Sequence, residues 1–137
     1  MTPEQREITA TLLLEKSQRN MEQALRNADM GYWDLVANRL YYAVFHAVTA
    51  LMLLDGIKTA THKGTSSQFG QHYVLTGQFS REDGMLYSRL QTMREKADYQ
   101  NTFSISPDKG RDLIDAARAL QSRITAAIDN RLSNQKA

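Results

Sequence analysis

Three observations predict an all-α fold, a compact up-and-down bundle of four long helices plus a short helix. Apolar residues recur every three or four positions through separate segments of the 137-residue chain. Helix-start signals at Thr2-Pro3, Ser80 and Ser106-Pro107 open three of these segments, and Gly31, Gly56 and Gly77 stand where segments close. No run of alternating apolar and polar residues marks a strand.

In the first helix Thr2 serves as the cap, Pro3 lies in the first turn where a missing N–H costs nothing, and Gln5 reaches back as in a capping box. The helix is expected to run to about Met30, with its apolar positions Ile8, Leu12, Met21, Leu25 and Ala28 at helical spacing and Gly31 as a left-handed stop. A second helix begins at Tyr32 or Trp33 and reaches Leu54. Only Asp34, Asn38, Arg39, His46 and Thr49 are clearly polar within it, which makes it the central, most buried element, and Asp55-Gly56 ends it.

Residues 57–80 are the least regular stretch, rich in Thr and Ser, and read as a loop leading into a short helix from about Phe69 to Leu75. Ser80 caps the next helix, which runs to about Tyr99 with Glu82 and Asp83 at its positive end and Met85, Leu86, Leu90, Met93 and Ala97 on its buried side. Ser106-Pro107 opens the last helix. Leu113, Ala117, Leu120, Ile124 and Ile128 keep its spacing to about Leu132, ahead of a polar tail. The expectation is one domain spanning 1–137, with an ordered core of about 3–132.

Seventeen Lys and Arg stand against fifteen Asp and Glu, a net charge of +2, so any polyanion site must be a local arrangement rather than a broad field. The absence of cysteine removes disulfides, thiolate nucleophiles and cysteine-held zinc. His46, His62 and His72 lack metal-ligand spacing, and no glycine-rich phosphate loop with its lysine is present. No metal and no cofactor is therefore expected. Thr2 to Glu7 are too polar for a signal peptide, and Arg39 interrupts the longest apolar region, so the expectation is a cytoplasmic protein with no membrane partner.

The chemistry-bearing stretch is Asn38-Arg39-Leu40-Tyr41-Tyr42-Ala43-Val44-Phe45-His46. Seven residues are almost two helical turns, so Arg39 and His46 share a face about 10 Å apart along the axis, with Tyr42 between them. A guanidinium fork suits phosphate oxygens, and an imidazole with a reference pKa of about 6.5 moves protons near neutrality. The same pair also reads as a polar stripe satisfied at a helix interface. Asn38 either orients Arg39 or a phosphate, or bonds a neighbouring backbone group. Tyr42 either stacks a base or belongs to the core, and Tyr41 and Phe45 pack on an adjoining face. Arg94 and Asp98, four residues apart, form a local pair, or Asp98 reaches across to orient Arg39.

Three stretches together resemble the HEPN superfamily, in particular its small bacterial and archaeal members of the UPF0332 type. They are Asn38 to Ala47, then Thr61-His62-Lys63-Gly64 with Phe69 and Tyr73, and Met93-Arg94-Glu95-Lys96-Ala97-Asp98-Tyr99. Six residues separate Arg39 from His46, within the arginine-to-histidine spacing of that superfamily. The resemblance implies a helical bundle pairing as a two-fold homodimer, with the arginine and histidine of both copies around one cleft. It further implies a metal-independent endoribonuclease acting as a toxin beside a nucleotidyltransferase antitoxin, with Arg39 and His46 catalytic and a histidine from each copy sharing the proton transfers. Asn38, Tyr42, His62 and Lys63 then contact RNA or nucleotide, the last two from a flexible loop, although they also read as a solvated loop. Tyr41, Tyr42 and Tyr99 are candidates for nucleotide addition by such a partner. The alternative is a non-catalytic helical dimer that binds a nucleotide or docks a partner.

Overall fold

The computed structural model describes residues 1–59, 61–100 and 102–136. They form five helices, α1 (Pro3–Asp29), α2 (Trp33–Leu54), α3 (His62–Phe69), α4 (Arg81–Tyr99) and α5 (Pro107–Lys136), and no strand occurs among them. The protein is thus all-helical, with four long helices and a short one. α3 continues into a single widened, π-helical turn at Gly70–Val74. No helix among the described residues is long and apolar enough to cross a membrane.

Local chemistry sets the helix ends. The Thr2 hydroxyl accepts from the Gln5 amide while the Gln5 side chain accepts from Thr2 N–H, and Ser80 and Asp83 repeat this reciprocal cap on α4. Gly31 and Gly56 take φ of +78° and +73°, a backbone state open to glycine, where α1 and α2 stop. The three-residue turn after α1 folds it back on α2. Ser17 Oγ donates to the Ala43 carbonyl and Arg39 donates to Asn20, the register of an antiparallel pair.

α2 is the centre of the molecule, packed against α1, α4 and α5. Val36, Leu40, Tyr41, Val44, Val48 and Leu51 are fully buried, and α5 contributes Leu120, Ile124 and Ile128. Each such aliphatic side chain contributes roughly 1.5–3 kcal/mol on burial. Where α1, α2 and α5 meet, buried Ser17 is satisfied by Ala43 and Gln121. The widened turn carries Tyr73, whose hydroxyl donates to Asp55, and Arg131 of α5 clamps the same carboxylate. Buried Asp83 meets Arg123 of α5.

Ile8 and Leu12 are 63% and 58% exposed, because the face that approaches α2 runs through Ala10, Ser17, Met21 and Ala24, whose small members admit a close helix. Several expectations are corrected. Met85 is exposed. α3 starts at His62 rather than near Phe69, since the Thr61 hydroxyl accepts from Gly64 N–H and nucleates the helix within a stretch whose composition reads as loop. α5 continues past Leu132 to Lys136. Ala137, the end of the expected tail, lies outside the described residues.

Candidate functional site

The site is built on the face of α2 that α5 does not cover, with α1, α3 and α4 each adding side chains. Arg39 is half-buried, and four of the five N–H groups of its guanidinium are engaged, which leaves one Nη2 hydrogen for a ligand. Nε and Nη2 donate to Asn38 Oδ1, and Nη1 donates to Asn20 Oδ1 and Gln23 Oε1, both at 3.2 Å. All of these acceptors are neutral carboxamides. They fix the orientation of the fork while leaving its positive charge uncompensated, which a carboxylate would not do.

Asn38 is itself held from α4. Its Nδ2 donates to Asp98 Oδ1 at 3.4 Å, and Asp98 Oδ2 receives Arg94 Nη1 at 3.4 Å. Asp98 therefore pairs with Arg94 along the helix, and it meets Asn38, which holds Arg39, rather than Arg39 itself. Arg94 lies with its guanidinium carbon 5.0 Å from the Tyr41 ring centre and 5.8 Å from that of Tyr42. Arg39 reaches the Tyr42 ring at 5.7 Å. Both guanidiniums thus reach the Tyr42 ring, and the His46 ring lies near-parallel to it at 5.7 Å.

His46 is half-buried. Burial, reinforced by the charges of Lys16, His62 and Arg39, pushes its pKa down to about 4, so the expectation of titration near neutrality is corrected for the isolated chain. His62 joins the same cluster from the first turn of α3. Its ring stacks on Phe45 at 4.4 Å and meets Tyr42 edge to face at 5.9 Å, and its Nδ1 is 2.6 Å from the Tyr41 hydroxyl. Burial and Arg94 lower its pKa as well. Burial pushes the Tyr41 phenol up to about 12, so it stays protonated across the physiological range.

The structure therefore gathers Asn38, Arg39, Tyr42, His46 and His62. Lys63 is exposed and lines a separate groove between α3 and α4 with Ser66, Ser88 and Glu95. Lys16, Asn20 and Gln23 of α1 went unrecognised in the sequence; their i, i+4 and i+7 spacing was the available signal. Two sizeable grooves, of 480 and 460 Å³, contain none of the clustered residues. One follows the junction of α4 and α5, and the other lies among α1, α2 and α5. The cluster sets two guanidiniums and two imidazoles around the Tyr42 ring, with the Lys16 charge felt at His46 and the carboxylates of Asp98 and Glu95 on the α4 side. Such a face suits an anion carrying an aromatic base.

The chain is similar to several known proteins. The model of the HEPN domain matches residues 10–125. A UPF0332 protein of Thermotoga maritima is 31% identical over 93 residues, covering 68% of this chain and 70% of its own. Two proteins of Methanocaldococcus jannaschii, "Putative toxin MJ0605" and "Putative toxin MJ0142", are 32% and 26% identical, covering 71% and 74% of this chain and 71% and 69% of theirs.

Proposed function

The chain belongs to the HEPN domain family, and from that premise we propose that it is an RNA-cleaving toxin that acts without a metal ion, with Arg39 and His46 at the reacting phosphate. The observation that carries this reading is the Arg39 guanidinium, fixed by three carboxamides, left fully charged, and sharing the Tyr42 ring with His46. In cleavage the ribose 2′-oxygen attacks its neighbouring phosphorus and the bond to the 5′-oxygen breaks, leaving a 2′,3′-cyclic phosphate and a 5′-hydroxyl. His46, neutral at pH 7, takes the 2′-proton. Arg39 binds the non-bridging oxygens and stabilises the charge that grows on them in the transition state. Tyr42 offers its ring to a base, and Asn38 acts through Arg39.

We also propose that two copies assemble with these open faces toward each other. Ile8 and Leu12, exposed at i and i+4, continue to Lys16 on the flank of α1 beside the site and supply apolar area for such a contact. A nucleotidyltransferase antitoxin would then act on the assembled toxin.

Labelled RNA, purified protein and excess EDTA provide the test. Cleavage by the wild type, with loss of at least about 100-fold in His46→Ala at an unchanged melting temperature, is the expected result. A second reading, nucleotide binding without cleavage, draws on the two guanidiniums that reach the Tyr42 ring. Tight binding of mononucleotides by a protein that cuts no RNA would favour it.

A further inference from the structure

The mechanism above leaves the departing 5′-oxygen without a proton donor. A second copy would supply one only if its own histidine reached the same phosphate. Within one chain, however, a second imidazole already stands at the site. His46 and His62 flank the same two aromatic rings: the Phe45 centroid is 5.4 Å from His46 and 4.4 Å from His62, and the Tyr42 centroid is 5.7 and 5.9 Å from them. The two are 16 positions apart in sequence and reach this face from different helices.

We propose that His62 is the second proton-transfer residue: His46 takes the 2′-hydroxyl proton, and the His62 imidazolium gives its Nε2 proton to the departing 5′-oxygen. The inference rests on the ribonuclease reading and deepens it. As the O2′–P bond forms and the P–O5′ bond breaks, one proton arrives on His46 and another leaves His62, and solvent returns both rings to their starting states.

Three features suit His62 to this role. The Thr61 cap pins the first turn of α3, so the ring is set by backbone hydrogen bonds as well as by packing. The contact between Nδ1 and the Tyr41 hydroxyl leaves Nε2 as the edge that meets a ligand, and a hydroxyl both accepts and donates, so that bond persists whether the imidazole is charged or neutral. His46 is the more strongly depressed of the two, which separates a base that starts neutral from an acid whose charged form an arriving phosphodiester stabilises.

The test is single-turnover cleavage of two RNAs, an ordinary one and one with sulfur in place of the bridging 5′-oxygen, whose thiolate leaves without a proton. His62→Gln is expected to lose about 100-fold or more on ordinary RNA and to return to within a few-fold of wild type on the sulfur substrate, while His46→Gln stays slow on both. Should His62→Gln misfold by circular dichroism, Tyr41→Phe, which removes the hydroxyl that orients the ring, takes its place with a smaller loss and the same rescue. Cleavage of ordinary RNA at the wild-type rate by the folded His62 variant, or equal slowness on both substrates, overturns the assignment while the ribonuclease reading stands. Rescue of His46→Gln instead would give the leaving-group proton to a second copy's His46 and also overturn it. A wild type that cuts neither RNA removes both.

Discussion

His46 affects folding as well as chemistry, because its pKa of about 4 in the folded chain lies below the unfolded reference of about 6.5. Below pH 6.5 the unfolded chain takes up a proton that the native protein refuses until about pH 4, so stability falls on acidification through that window. Above it the ring is neutral in both states and adds no slope. His62, also lowered, works in the same direction. Thermal melts from pH 7.5 to pH 4 should therefore show a steeper loss for wild type than for His46→Gln, and identical slopes would contradict the burial described for this ring. At this scale the shared face of Arg39, Tyr42 and His46 was legible, since seven residues of helix preserve direction. Arg94 over Tyr42, and the Asp98–Asn38–Arg39 connection, depend on how α4 is laid across α2. A pattern confined to one helix carries no information about that crossing.

Among the elements, α5 shows how much packing hides behind ordinary letters. Gly110 lies one turn into this helix and reads as a helix-weakening residue. A Cβ there would come within 2.3 Å of Trp33 Cε3, so the glycine is what lets α5 close over the start of α2. Gly110→Ala should cost roughly 1–3 kcal/mol and lower the melting temperature by several degrees, despite the better helix propensity of alanine. Gly70→Ala, with no atom near the added carbon, is the matching control and should show no such loss. The ends of α1 and α4 were readable because a cap is written within four residues. The start of α3 carried the same kind of signal in Thr61 and was hidden by the polar residues after it. Helical spacing alone did not tell that Ile8 and Leu12 stay exposed, because it identifies several possible faces of α1 and the choice fell to small residues that admit a neighbouring helix.

For the molecule as a whole, a net charge of +2 means that binding to a polyanion depends on a few local cations. If Lys16, Arg39 and Arg94 neutralise three phosphates of single-stranded RNA, the logarithm of affinity should fall against that of salt concentration with a slope of about −2. Arg39→Ala should reduce that slope by about 0.7, measured by fluorescence anisotropy across a potassium chloride series. A slope unchanged in the variant would place the phosphates elsewhere on the surface. The carboxamides that hold Arg39 add a further property. Replacing Gln23 by Glu exchanges an NH₂ group for an oxygen at nearly constant volume and takes one unit from the whole protein's charge, whereas the Asn20 NH₂ group is committed to the Lys16 carbonyl. The site therefore has a built-in electrostatic set point, through which its hold on a polyanion can be stepped down while its shape stays the same.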